Sequence, residues 1–130
     1  MIVLDTHILV WWVSNDAQLS QAAKNAIEYE LSAGELIISS ITAWEVAMLV
    51  QKNRLILSMD VDAWLTAISH INRVRFYPVD NEIAVKSASL PDEFHKDPAD
   101  RMIVATARKL GCALITADEK IRNYQHVKTI

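Results

Sequence analysis

The chain has 130 residues, 52% of them hydrophobic, enough apolar material for a single packed domain over residues 1–130 and too much for a disordered adaptor. Its 13 basic and 16 acidic residues give a formal net charge of -3, so composition supplies no broad basic face for nucleic acid, and phosphate contacts would fall to local cations or a second copy. Two glycines exclude a Gly-rich phosphate loop, and the lone cysteine, Cys112, excludes an intrachain disulfide and reads as a buried structural thiol.

Ile2-Val3-Leu4 opens the chain as a short, continuously apolar strand that ends on Asp5. A short helix over Ile8–Val13 follows, with Trp11 and Trp12 side by side. Ser20 is a good N-cap for a helix to Leu31, and Gly34 is a stop before the second strand, Leu36-Ile37-Ile38. Ser39 and Ser40 then lead to a helix over Thr42–Gln51. From Trp44 to Val50 that helix is too apolar for a solvent-facing element, and the excess suggests a protein–protein surface. Asp60 introduces a helix over Val61–Ile71. Val74 to Val79 alternates as a third strand, with Pro78 near its end, and Asp80 or Asn81 starts a helix over Glu82–Ser89. Asp97 followed by Pro98 starts a helix to Leu110, and Gly111 stops it before the fourth strand, Ala113-Leu114-Ile115-Thr116. A last helical turn covers Glu119–Tyr124. Apolar strands separated by helices predict an α/β fold with a parallel sheet covered on both faces.

The N-terminus lacks a basic segment followed by an apolar one, and no apolar run approaches the ~20 residues that span a bilayer. A soluble, cytoplasmic protein with no membrane partner is the expectation.

Ligands of open parallel sheets bind beyond the carboxyl ends of the strands. Asp5 directly follows the first strand, Asp118 lies two residues past the fourth, and Glu45 sits near the start of the helix after the second. Asp97 and Asp100 open a helix that follows a loop, so placing them at the same edge is an assumption. Each acid also has a local reading. Asp97 is a helix cap, Asp100 sits where a capping-box acid would, Thr42-Ala43-Trp44-Glu45 matches a capping box, and Asp118 suits a cap for the next turn. Asp5, ending a central apolar strand, has few structural jobs. Four or five carboxylates converging on one region repel unless a cation neutralises them, and Mg²⁺ takes such oxygen ligands together with water and phosphate. That chemistry suits hydrolysis of a phosphodiester.

These residues resemble the PIN-domain family, and within it the VapC-type toxins of bacterial toxin–antitoxin pairs. The matching pieces are Ile2-Val3-Leu4-Asp5-Thr6, Ser39 to Val46, His95 to Ala107 with its Asp-Pro-x-Asp-Arg run, and Leu114-Ile115-Thr116-Ala117-Asp118. Their order and spacing across nearly the whole chain carry the likeness. The resemblance implies a three-layer α/β/α fold with a central parallel sheet of about four to five strands. It implies catalytic acids at Asp5, Glu45, Asp100 and Asp118, with Asp97 an assisting ligand or a cap. Mg²⁺, or Mn²⁺, would be held by Asp5, Asp100 and Asp118, with Glu45 and Asp97 as further candidates. It further implies homodimers, endonucleolytic cleavage of RNA and a cognate antitoxin seated near the site. Ile103-Val104-Ala105 departs mildly from the family's usual Ile-Ala and touches packing only.

Thr6 and Thr116 are candidates for orienting carboxylates through their hydroxyls, or are ordinary strand-end threonines. Arg101 is expected to pair with Asp97 or another neighbour rather than with phosphate. Lys52, Arg54, Arg73 and Arg75 are the cations to watch for RNA. His7, His70, His95 and His126 are scattered and read as surface or packing residues. The main competing reading is a partner-binding or regulatory subunit with little turnover. A phosphoacceptor receiver domain would need a lysine after its last strand, where Ala117-Asp118 stands, and an Asp-x-Asp phosphatase would need a second aspartate in Asp5-Thr6-His7.

Overall fold

A computed structural model describes residues 1–130. Four parallel strands, β1 (Ile2–Leu4), β2 (Leu36–Ser39), β3 (Val74–Tyr77) and β4 (Ala113–Ile115), form a sheet in the order β3-β2-β1-β4. Ile2 pairs with Leu36 on one side and Ala113 on the other, and Leu36 pairs with Val74. The C-terminal residues extend the β4 edge. Leu114 N–H donates to Lys128 O at 2.8 Å and Ile130 N–H to Leu114 O at 3.0 Å, making a short fifth parallel segment.

The helices are α1 (Thr6–Val13), α2 (Gln21–Ala33), α3 (Ser40–Gln51), α4 (Val61–Ser69), α5 (Asn81–Ala88), α6 (Pro98–Leu110) and α7 (Glu119–Arg122). Strand periodicity sorts them into two layers. Ile2, Leu4, Leu36, Ile38 and Ile115 face one way and pack with Ile8, Leu9, Ala23, Ile27, Trp64 and Ile68 of α1, α2 and α4. Val3, Ile37 and Leu114 face the other way, onto Ile83, Ile103, Val104, Ala107 and Ile121 of α5, α6 and α7. The result is the expected three-layer α/β/α sandwich. Burying one such Leu or Ile contributes about 1.5–3 kcal/mol.

Caps fix most helix starts where the sequence puts them. Ser20, Asp60, Asp80 and Asp97 each accept a backbone N–H of the first turn, and Pro98 occupies the first position of α6. Gly111 ends α6 at φ 64°, the left-handed conformation that a side chain would strain. Two starts differ. Helix α1 begins at Thr6 rather than Ile8, because Asp5 accepts the Thr6 N–H at 2.8 Å. Helix α3 begins at Ser40, capped by Ser39, so Thr42-Ala43-Trp44-Glu45 is helix interior and not a capping box. Of the two caps the sequence offers for α5, Asp80 is the one used. No helix is long and apolar enough to cross a membrane.

The strand order also locates a crevice. From β1 the chain adds β2 and β3 to one side, then returns through α5 and α6 to add β4 on the other. The direction of winding reverses between β1 and β4, and beyond the carboxyl ends of such a pair lies the usual ligand crevice.

Candidate active site

Asp5 leaves β1 at that reversal, and Asp118 lies just past β4 beside it. Asp5 is only 3% exposed. Its Oδ1 accepts the Thr6 N–H, and its Oδ2 accepts the Thr116 hydroxyl at 2.6 Å. So Asp5 does have a structural job, as the cap of α1, alongside any chemical one. Burial pushes its carboxyl above the ordinary aspartate range, against the pull of His7 and of the hydrogen bonds from Thr116 and Thr6.

Glu45 approaches from α3, one and a half turns in. Its Oε1 accepts the Thr6 hydroxyl at 2.5 Å, and Thr6 Oγ1 lies 2.9 Å from Thr42 Oγ1. Since the single Thr6 proton goes to Glu45, Thr42 donates to Thr6. Burial raises the Glu45 carboxyl as well.

Asp97 is exposed and caps α6, its Oδ1 accepting the Asp100 N–H at 3.1 Å. Asp100, one turn on, makes no reciprocal cap. Its Oδ2 lies 3.0 Å from His95 Nε2, which sits out of line for a hydrogen bond and has no other partner. Burial, and then repulsion from Asp5, Asp97, Asp118 and Glu45, pushes the Asp100 carboxyl up to about 8. Asp118 Oδ1 accepts the Lys120 N–H at 2.8 Å, capping α7.

All five acids line one cavity of about 350 Å³, together with Thr6 and His7. Val10, Trp11, Leu49 and Leu55 form its apolar wall, and Arg54 is the one cation on it. The carboxylates surround the space without closing on a point. No three His, Cys, Asp or Glu side chains converge tightly enough to form a metal-holding cluster. The donors are nevertheless all hard carboxylate oxygens, and the mutual repulsion at Asp100 marks an unbalanced negative charge.

Other expectations meet a different arrangement. Arg101 forms no ion pair with Asp97. Its guanidinium donates to the backbone carbonyls of Ser87 at 2.8 Å, Phe94 at 3.0 Å and His95 at 3.3 Å, tying the end of α5 and the following loop to α6. Of the four watched cations only Arg54 reaches the cavity. Arg73 donates to Gly34 O and Arg75 pairs with Glu35, both at the start of β2, the opposite end of the sheet. Lys52 is the exposed C-cap of α3. Cys112 is half-buried, its thiol pushed up by desolvation. His70, an exposed helix C-cap, and His126, edge-on to Tyr124 beside exposed Asp92, match the surface-or-packing reading, whereas His7 and His95 each also contact a site acid. Thr42, buried behind Thr6, has no sequence signal beyond its place four residues after Ile38.

Residues 2–127 match the PIN domain family. The chain is 35% identical to "Ribonuclease VapC22" of Mycobacterium tuberculosis (strain ATCC 25618 / H37Rv), over 99% of this chain and 95% of that protein. In shape it is similar to the structure described as VapBC2 from Rickettsia felis bound to a DNA fragment from their promoter, with TM-score 0.73 and 18% identity over 100% of this chain and 98% of that one. It is also similar to a toxin-antitoxin complex from Klebsiella pneumoniae, with TM-score 0.68 and 23% identity over 100% and 96%. With the family matched over nearly its whole length and a full-length relative of this identity, the chain belongs to the PIN-domain family, on its VapC branch.

Proposed function

We propose that this protein is a metal-dependent endoribonuclease, the toxin of a toxin–antitoxin pair, acting as one nuclease domain over residues 1–130. The observation that carries the reading is the meeting of Asp5, Glu45, Asp97, Asp100 and Asp118, from separate parts of the chain, on one cavity at the sheet's winding reversal. The ribonuclease name of the Mycobacterium relative supports RNA as the substrate. Asp5, Asp100 and Asp118 would hold Mg²⁺ or Mn²⁺, with Glu45 and Asp97, on the same cavity wall, as further candidates. When bound, such a cation activates water and neutralises charge on the phosphate oxygens.

The chain's own groups prepare that site. Thr116 and the Thr6 N–H each take one oxygen of Asp5, and the Thr42–Thr6–Glu45 chain holds Glu45 toward the cavity. Arg54 is placed to meet a phosphate of the substrate. An apolar trough formed by Val13, Ile56, Leu57 and Trp64 shares Val10, Trp11 and Leu55 with the acid cavity. An antitoxin segment with apolar residues beside a basic one would suit both. Ile56, 92% exposed, and exposed Trp44 support a partner-covered surface, with a homodimer as a further assembly.

The test is cleavage of RNA by the purified chain with Mg²⁺ or Mn²⁺, set against Asp5→Asn and EDTA. Cleavage should vanish in both controls. Metal-independent cleavage, or full activity of the variant, would overturn the mechanism. Tight antitoxin binding with no cleavage would make this a partner-binding subunit.

A further inference from the structure

We propose that His7 is a positioning residue that fixes Asp118 relative to Asp5. Its imidazole spans the two loops that carry these acids. Nε2 accepts the Ala117 N–H at 3.0 Å, so in the neutral ring the proton sits on Nδ1, which lies 3.6 Å from Asp5 Oδ2. The ring stands edge-on to Trp11, with centroids 4.9 Å apart, and this contact fixes its plane.

Ala117 is the single residue between Thr116 and Asp118, and the turn it occupies is otherwise tied by the bond from the Lys120 N–H to Asp118 Oδ1 at 2.8 Å and at Thr116. That hydroxyl accepts the Asp118 N–H at 3.0 Å while donating to Asp5. Helix α7 has only four residues and brings little stiffness of its own. With His7 holding Ala117, the turn is fastened at successive residues to the loop that carries Asp5, and the Asp118 carboxylate, bonded to the Lys120 N–H within α7, is set relative to Asp5. Without that bond the Ala117 N–H loses its protein acceptor, and the turn loses its one direct tie to His7 and the start of α1.

The role in metal binding rests on the nuclease reading; the hydrogen bond does not. The first measurement therefore needs neither metal nor variant. Nitrogen NMR of the wild-type imidazoles at pH 8 should give His7 as the Nδ1–H tautomer. An Nε2–H tautomer would overturn the proposal, because that nitrogen could not then accept from Ala117.

The second measurement compares two full-length variants. His7→Phe keeps a ring against Trp11 but offers no acceptor, whereas His7→Gln offers a carbonyl oxygen. His7→Phe should lose exchange protection at the Ala117 amide and bind Mn²⁺ alone about ten-fold more weakly by calorimetry, a scale typical of groups that orient ligands. Its RNA cleavage should fall in kcat with KM nearly unchanged. His7→Gln should recover most of each. Wild-type protection, or equal impairment of the two variants, would overturn it. If the wild type itself binds no Mn²⁺, the nuclease reading fails, and the tautomer and the Ala117 amide alone decide the role of His7.

Discussion

The Thr116 hydroxyl donates to Asp5 Oδ2 at 2.6 Å, joining two residues 111 positions apart in the chain. The bond is buried, and its acceptor is a carboxylate whose charged form burial disfavours. Thr116→Val keeps the side-chain volume and removes both this donor and the acceptor of the Asp118 N–H. It should cost about 1.5–3 kcal/mol, the range for a hydrogen bond to a charged group. Denaturant unfolding reads that loss, and RNA cleavage should fall with it. Thr116→Ser should restore both. A Val variant with wild-type stability and rate would show that Asp5 is held by its capping bond alone.

Asp100 predicts an opposition between stability and activity. Its carboxyl is raised from 3.8 to about 8 by burial and by four neighbouring acids, so the folded chain holds that proton more tightly than the unfolded chain does. Between those two values the folded state binds more protons, and stability falls as pH rises. The metal-free protein should therefore melt at lower temperature at pH 8 than at pH 5, and Mg²⁺ or Mn²⁺ should restore part of the loss at pH 8. Asp100→Asn should flatten this slope and stabilise the metal-free chain at pH 8 by about 1 kcal/mol, since solvent at the cavity mouth screens the repulsion. The same variant should lose cleavage. A destabilised Asn variant would mean that Asp100 is chiefly a structural anchor.

Much of this was legible because it is written locally. Apolar triplets at Ile2–Leu4 and Leu36–Ile38, bounded by polar or stop residues, read as strands buried on both faces, and Asp97-Pro98 marks the start of α6 by its own chemistry. The same locality misleads at Thr42–Glu45. A capping-box pattern fits any stretch with the right spacing, and nothing local says that Ser39 has already capped the helix. Thr42 instead spends its hydroxyl on Thr6, 36 residues away. His7, His95 and Arg101 are illegible for a related reason. Their partners are a backbone amide 110 residues off, a carboxylate presented by a helix turn, and carbonyls of the preceding loop. Single polar residues carry no periodicity, so only the folded chain assigns them.

Electrostatics at the cavity should separate Arg54 from the other cations. It is the one basic side chain on the wall that the acids line, whereas Arg73 and Arg75 are engaged at the far end of the sheet. If Arg54 meets a substrate phosphate, Arg54→Ala should raise KM for RNA and lower the slope of log affinity against log salt by about 1. Arg75→Ala should change neither quantity and should cost at most about 1 kcal/mol, the usual worth of an exposed ion pair. Equal effects of the two substitutions would place the substrate on a wider surface than the cavity.

Arg101 ought to be the least replaceable cation in the molecule, although it touches no acid of the site. Its guanidinium gathers the carbonyls of Ser87, Phe94 and His95, which close α5 and shape the loop delivering Asp97 and Asp100. A planar fork can reach several carbonyls at once; an ammonium on a flexible stem cannot hold the same geometry. Arg101→Lys should therefore destabilise the chain by about 2 kcal/mol, from at least two weakened charge-assisted bonds. Cleavage should drop further than the unfolded fraction explains, because the loop would no longer hold His95 and Asp97 in register with Asp100. Chemical unfolding gives the first quantity, and cleavage measured well below the melting temperature gives the second. A Lys variant that is weaker only in proportion to its stability would assign Arg101 to the fold and leave the placement of Asp100 to α6 alone.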